Sequence, residues 1–147
     1  MEENVYKITN DTLIIQSLSK KQVKIIESNS EILENINHIR MIQDSCIYYG
    51  STYEGRIESA KKILKIYRKI PIIISEKHNL LFFPICSTRL VNCIWISYNN
   101  LEKYKPLFNK TRLYFTNNFY YDVDFSYNII HNQVIKCMLL EKNLEKK

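Results

Sequence analysis

Only 2 glycines occur among 147 residues, and both fall inside one short stretch, Gly50-Ser51-Thr52-Tyr53-Glu54-Gly55. Glycine is the residue that most freely takes positive φ or lets another group approach the backbone, so a chain this poor in it concentrates its sharpest reversal there. On the N-terminal side Ile36, Ile39, Ile42, Cys46 and Tyr49 recur at helical spacing, which predicts a helix from about Asn35 to Tyr49, with Gly50 as its left-handed cap. Ser51-Thr52-Tyr53-Glu54 then has the form of a capping box, in which Ser51 accepts from the Glu54 amide. A second helix is expected to start at once and run to about Lys65, or as far as Lys69, because Pro71 disfavours helix at Ile70. Collagen-like, linker-rich and glycine-loop architectures are excluded by the same scarcity, with only 3 prolines beside the 2 glycines.

Around this helical pair the chain reads as β. Val5 to Thr9 and Thr12 to Gln16 flank Asn10-Asp11, a hairpin pattern. Gln22 to Ile26 and Ser30 to Leu33 are β-capable. Ile70 to Ser75 and Leu80 to Pro84 form a hairpin across a four-residue loop, Ile85 to Asn92 is a loop carrying Arg89, and Cys93 to Tyr98 is a further strand. A polar connection is expected through Pro106. Arg112 to Thr116 and Phe119 to Phe125 meet at Asn117-Asn118, and in the latter Phe119, Tyr121, Val123 and Phe125 alternate with Tyr120, Asp122 and Asp124. Ser126 caps a last helix with the apolar stripe Ile130, Val134, Cys137 and Met138. The expected class is α+β: antiparallel β-hairpins, a central helix-turn-helix-like pair and a C-terminal helix. We expect one domain over 1–147, with a β-rich part at 1–34, the helical pair at 35–69, a β-rich part with the last helix at 70–147, and a frayed tail at 141–147.

Charge is the second constraint. The net charge is +6, yet residues 1–55 carry 5 basic and 8 acidic side chains, whereas residues 56–112 carry 12 basic and 3 acidic ones. The positive excess therefore lies in the middle of the chain, which favours a polyanion, nucleic acid before membrane. On the second helix Ile57, Ala60, Ile63, Leu64 and Tyr67 fall on one arc, and Lys61, Lys62, Lys65, Arg68 and Lys69 on the other with Glu58 alone among them. A solubility face ordinarily mixes signs; this one hardly does. Tyr48, Tyr49, Tyr53 and Tyr67 flank it, either as core residues or as stacking platforms.

Other chemistries lack a motif. No run of about 18 apolar residues is present to span a membrane. The acidic start Met1-Glu2-Glu3-Asn4 does not resemble a secretory signal, so a cytoplasmic location is expected. Cys46, Cys86, Cys93 and Cys137 are then read as free and mostly buried, and neither they nor His38, His78 and His131 have metal-ligand spacing. No phosphate-binding glycine loop, His-Glu-x-x-His or Gly-x-Ser-x-Gly occurs, and Asp122 and Asp124 sit on the wet face of one strand. Neither an enzyme nor a cofactor is expected.

Ser45 to Arg56, followed by Glu58 and Lys61, resembles the signature of the ComK family of competence transcription factors. Pro71-Ile72, Phe82-Phe83-Pro84, Cys93 to Ser97, Ser126-Tyr127 and Asn132-Gln133 match it in the same order, so the resemblance covers roughly Ile39 to Leu140. It implies an activator of DNA-uptake genes that binds A/T-rich double-stranded DNA through the minor groove as cooperating dimers, a nucleoid-associated role. Narrow A-tracts concentrate negative potential that draws Arg and Lys inward, which suits clustered cations without a base-reading motif. Ser59 and Lys65 stand where glycines are expected in relatives, which predicts a longer second helix here. Asn117-Asn118 stands for an Asn-Gly turn. The chain also stops soon after the last helix, where longer relatives carry a tail bound by a proteolytic adaptor.

The expected DNA contacts are Arg56, Lys61, Lys62, Lys65, Arg68, Lys69 and Arg89. The rival reading is a module that modulates a longer relative without binding DNA, docking through an exposed apolar hairpin from Ile72 to Phe83. A third is single-strand binding by tyrosine stacking.

Overall fold

Runs such as Ile72-Ile73-Ile74 and Leu80-Leu81-Phe82-Phe83 are apolar at every position because their strands are covered on both faces. The computed structural model describes residues 6–145. Strands β1 (Ile14–Ser19), β2 (Gln22–Glu27), β3 (Ser30–Glu34), β4 (Ile72–Ser75), β5 (Leu80–Pro84) and β6 (Ile94–Ser97) make a six-stranded antiparallel sheet in the order β3-β2-β1-β6-β5-β4. Alternate side chains divide between two cores. Ile15, Ile25, Ile72, Ile74, Phe82 and Trp95 face helix α1 (His38–Tyr48), with Met41, Ile42 and Cys46 packed over them. Ile14, Ile73, Leu81, Phe83 and Ile96 face the other way, toward helix α3 (Tyr127–Glu145) and its Ile130, Val134, Cys137 and Leu140. Helix α2 (Tyr53–Leu64) closes one side, with Ala60 buried in the second core and Ile57 touching both.

A second, three-stranded sheet packs against α3: β7 (Leu101–Leu107), β8 (Lys110–Phe115) and β9 (Tyr120–Val123), in that order. Asn117 and Asn118 join β8 to β9 with φ of 67° and 60°, the paired left-handed residues of a type I′ turn, as their identity predicts. The alternation in β9 is also as expected, Val123 being buried and Tyr120, Asp122 and Asp124 exposed.

Several expectations are corrected. Residues 6–9 are not a strand; Asn10-Asp11 is a turn, but β1 pairs with β2 and β6 instead, and Val5 lies outside the described residues. The polar connection through Pro106 is β7, a strand tolerated because it is an edge whose proline need not donate. Helix α1 starts later, at the Asn37 cap, whose Oδ1 accepts from the amides of Ile39 (2.9 Å) and Arg40 (3.3 Å). The cap of α2 is Thr52, not Ser51: Thr52 Oγ1 accepts from the Gly55 amide at 3.1 Å, and Ser51 Oγ donates to the Cys46 carbonyl.

Both glycines are needed for backbone reasons. Gly50 has φ +95°, and a Cβ on Gly55 would stand 2.9 Å from the capping oxygen of Thr52. Helix α2 does not lengthen: Lys65 itself takes the left-handed cap (φ 56°, ψ 46°), so Tyr67 leaves the apolar arc and is 85% exposed. In α3, Gln133 and Leu140 are buried while Met138 is exposed, and the helix continues to Glu145 where a frayed tail was expected, Lys146 and Lys147 lying outside the described residues. The hairpin's strands, Ile72–Ser75 and Leu80–Phe83, are buried and only its polar loop, Glu76–Asn79, is exposed, so it does not offer the apolar surface that the rival reading requires.

Candidate nucleic-acid interface

Ending α2 at Lys65 has a direct consequence for the cations that follow. The next residues, 66–71, run as irregular backbone from the helix to β4, with Lys69 also at positive φ (47°). Two side chains of α3 fix this segment. Gln133 Nε2 donates to the Lys69 carbonyl (2.9 Å) and the Pro84 carbonyl (2.7 Å), and Lys136 Nζ donates to the carbonyls of Arg68 (3.3 Å) and Lys69 (3.4 Å). Burial, then the charge of Lys69, holds the Lys136 ammonium below the usual lysine range.

The loop from Cys86 to Cys93 comes up beside that segment. It leaves β5 and returns into β6 where the Ile85 amide donates to the Ile94 carbonyl at 3.1 Å. Ser17 Nα–H donates to the Cys93 carbonyl at 2.9 Å, and the His38 ring makes a backbone hydrogen bond to Thr88. The four cysteines are free thiols, three of them buried and Cys86 half-buried.

Between α2, residues 67–70 and the 87–89 loop lies a cleft of about 750 Å³, lined by Tyr53, Ile57, Lys61, Tyr67, Arg68, Lys69, Ile70, Ser87, Thr88 and Arg89. It brings together four of the seven expected cations: Lys61, Arg68, Lys69 and Arg89. None of its lining residues is acidic, so the cations face one another across the opening without a local counter-charge. Such a concave basic surface attracts a polyanion and repels none of its phosphates.

The other three stand apart from it. Arg56 is only 25% exposed at its side chain, and its Nη1 donates to Glu76 Oε1 at 3.3 Å. Lys62 is 4.0 Å from Glu58 on the outer side of α2, and Lys65, whose backbone caps the helix and whose side chain is exposed, does not line the cleft. The sequence pattern on α2 could not separate Lys61 from Lys62, since both lie on the charged arc. Gln133 and Lys136 were not singled out as positioning residues. Asn132-Gln133 appeared only as a matching pair, and its partners are 49 and 64 residues away.

Of the tyrosines near α2, Tyr49 donates to the Ile8 carbonyl at 2.6 Å and belongs to the core rim, whereas Tyr67 is exposed in the cleft. Asp122 and Asp124 pair with Arg112 (2.8 Å) and Lys110 (3.4 Å). No helix among the described residues is long and apolar enough to cross a membrane.

The family model described as ComK protein matches residues 3–147 of this chain. A protein described as competence transcription factor, from Bacillus subtilis (strain 168), is 29% identical over 123 residues, which cover 83% of this chain and 64% of that relative. The chain thus spans less than two thirds of the relative's length. No solved structure matches.

Proposed function

Since the chain belongs to the ComK family, we propose that it is a DNA-binding transcriptional regulator of competence genes, gripping A/T-rich duplex through the minor groove. The observation that carries this reading is the cleft in which Lys61, Arg68, Lys69 and Arg89 converge without an acidic neighbour. Phosphates neutralise such cations with release of counterions, while a narrow A-tract groove raises the local negative potential that Arg and Lys seek. Nothing in this role requires catalysis or a cofactor. The printed name of the Bacillus subtilis relative supports the assignment to competence. Ile135, Met138 and Leu139, exposed along α3, support a second copy binding there, so that the regulator acts as a homodimer or higher oligomer in the cytoplasm, on the nucleoid. The alternative role, modulating a longer relative without touching DNA, loses its expected apolar surface because the strands Ile72–Ser75 and Leu80–Phe83 are buried.

The test is a gel-shift comparison of A/T-rich and G/C-rich duplexes of equal length at two salt concentrations. The proposal expects tighter binding to the A/T-rich duplex and a steep loss with salt; equal binding to both, or no binding, contradicts it. Tyr67, exposed in the same cleft, favours single-strand stacking as a second reading. Competition between single-stranded and duplex DNA of one sequence separates the two.

A further inference from the structure

The hairpin joining β7 to β8 ends in a residue that neither backbone preference nor burial selects. Leu107 and Lys110 are paired across the strands, leaving Phe108-Asn109 as a two-residue loop. Phe108 has φ 58°, the left-handed region that glycine takes at the first central position of such loops and that a bulky side chain avoids. Its neighbour Asn109, which tolerates that region, does not use it. The other positive-φ residues besides glycine among those described are lysines and asparagines, so Phe108 is the apolar exception. The ring is also 99% exposed. A position that breaks a local rule without gaining a packing contact points to a role outside the fold.

The surroundings indicate what the ring meets. On the face shared by β7 and β8, Lys103 lies opposite Tyr114, Lys105 opposite Arg112, and Leu107 opposite Lys110. The ammonium groups of Lys103 and Lys105 stand 5.0 and 5.8 Å from the centre of the Tyr114 ring, and neither is ion-paired among the described residues. Arg112 and Lys110 are held by Asp122 and Asp124 of β9 and its continuation. A bare aromatic ring carried just beyond a ladder of cations complements a partner whose flat apolar surfaces lie between rows of anions. Stacked base pairs flanked by phosphates have that chemistry.

Resting on the DNA-binding reading above, we propose that Phe108 is a wedge that enters duplex DNA between two base pairs from the minor groove, while Lys103 and Lys105 hold the flanking phosphates. The β7–β8 hairpin, backed by β9, is stiff enough to present the ring, and minor-groove proteins commonly unstack one step with an apolar side chain. Unstacking is easiest at pyrimidine–purine steps such as TA, so the wedge adds a preference within A/T-rich DNA that cations alone do not supply.

The experiment uses the full chain and a set of A/T-rich duplexes carrying 2-aminopurine at each adenine in turn, a base whose fluorescence rises when it is unstacked. Binding should brighten the probe at one TA step. Phe108→Ala should abolish that rise and weaken binding about tenfold, the size of one stacked contact, while the salt dependence set by the cleft persists. Phe108→Gly should abolish the rise too and yet melt at a higher temperature, because glycine suits the positive φ; this separates loss of the wedge from loss of the fold. If the wild-type chain binds but brightens no position, or if the rise survives Phe108→Ala, the wedge is wrong and the cleft stands. Binding of the wild type to anionic phospholipid vesicles but to no duplex overturns both.

Discussion

The indole Nε1 of Trp95 donates to Nδ1 of His38 across 3.0 Å, with both rings buried against the sheet. His38 must therefore keep Nδ1 unprotonated, and the other side of its ring hydrogen-bonds to the backbone at Thr88, one residue from Arg89. A neutral histidine thus ties the core strand β6 to the loop that carries one of the cleft cations.

This tie makes stability depend on pH in a defined direction. Burial holds the His38 pKa below the usual 6.5, the backbone bond only partly offsetting it. Above pH 6.5 the ring is neutral in both folded and unfolded chains and favours neither. Below it the unfolded chain takes up the proton first, so folding stability falls by up to about 1.4 kcal/mol per pH unit until the lowered folded value is reached. Urea denaturation at pH 7.5 and 5.5 should show this loss, and His38→Gln should remove the histidine's share of it. An identical pH dependence in the variant contradicts the assignment.

The two thiols that bracket the same loop should differ sharply in reactivity. A hydrogen bond from Cys93 is the main cause lowering the Cys86 thiol below the usual range, with the Lys69 charge a lesser one, while Cys93 itself is pushed up. Iodoacetamide at pH 7 should therefore alkylate Cys86 well before the other three cysteines, read by peptide mass spectrometry. Cys93→Ala should slow that reaction by raising the Cys86 pKa.

Gln133 should be a positioning residue. Replacing it by Leu takes the side-chain donor from the buried Pro84 carbonyl and leaves the Lys69 carbonyl with Lys136 alone, at a cost of roughly 1–3 kcal/mol for the one buried acceptor. Chemical denaturation measures the loss; a change below about 0.5 kcal/mol, the range of an ordinary surface substitution, contradicts the role.

Lys65 should respond in the opposite sense. Its left-handed cap conformation suits glycine, so Lys65→Gly should gain about 1 kcal/mol of stability. Because Lys65 does not line the cleft, duplex affinity in a filter-binding assay should change less than that of Lys61→Gln.

Much of this was legible from residue types. Gly50 and Gly55 announced the joint between two helices, and Asn117-Asn118 the turn between β8 and β9, because each rests on local backbone preference. The central strands were found from their unbroken apolar runs, although those runs could not say which strands are neighbours. What local pattern could not give was of two kinds. Strand β7 was hidden by Pro106 and alternating lysines, since an edge strand is allowed polar side chains and a missing donor. The end of α2 near Lys65 was legible, but the left-handed cap that rules out extension toward Lys69 was not, because lysine carries no left-handed signal. In the interface, the cations of α2 were visible as a one-sign arc, but their sorting was not. Arg89 joins Lys61 only through the path of β4, β5 and β6, and Arg56 is withdrawn by Glu76 from the next hairpin.

The most direct test of the account is the salt dependence of duplex affinity for two sets of charge removals. With Lys61, Arg68, Lys69 and Arg89 on phosphates, the cleft alone should contribute about −4 to the slope of log affinity against log salt. Changing Lys61, Lys69 and Arg89 together to Gln should make the measured slope shallower by about 3, while changing Lys62 and Lys65 to Gln should leave it near the wild-type value. Equal flattening by the two sets would show that no cleft gathers the DNA-binding charge, and would contradict the account.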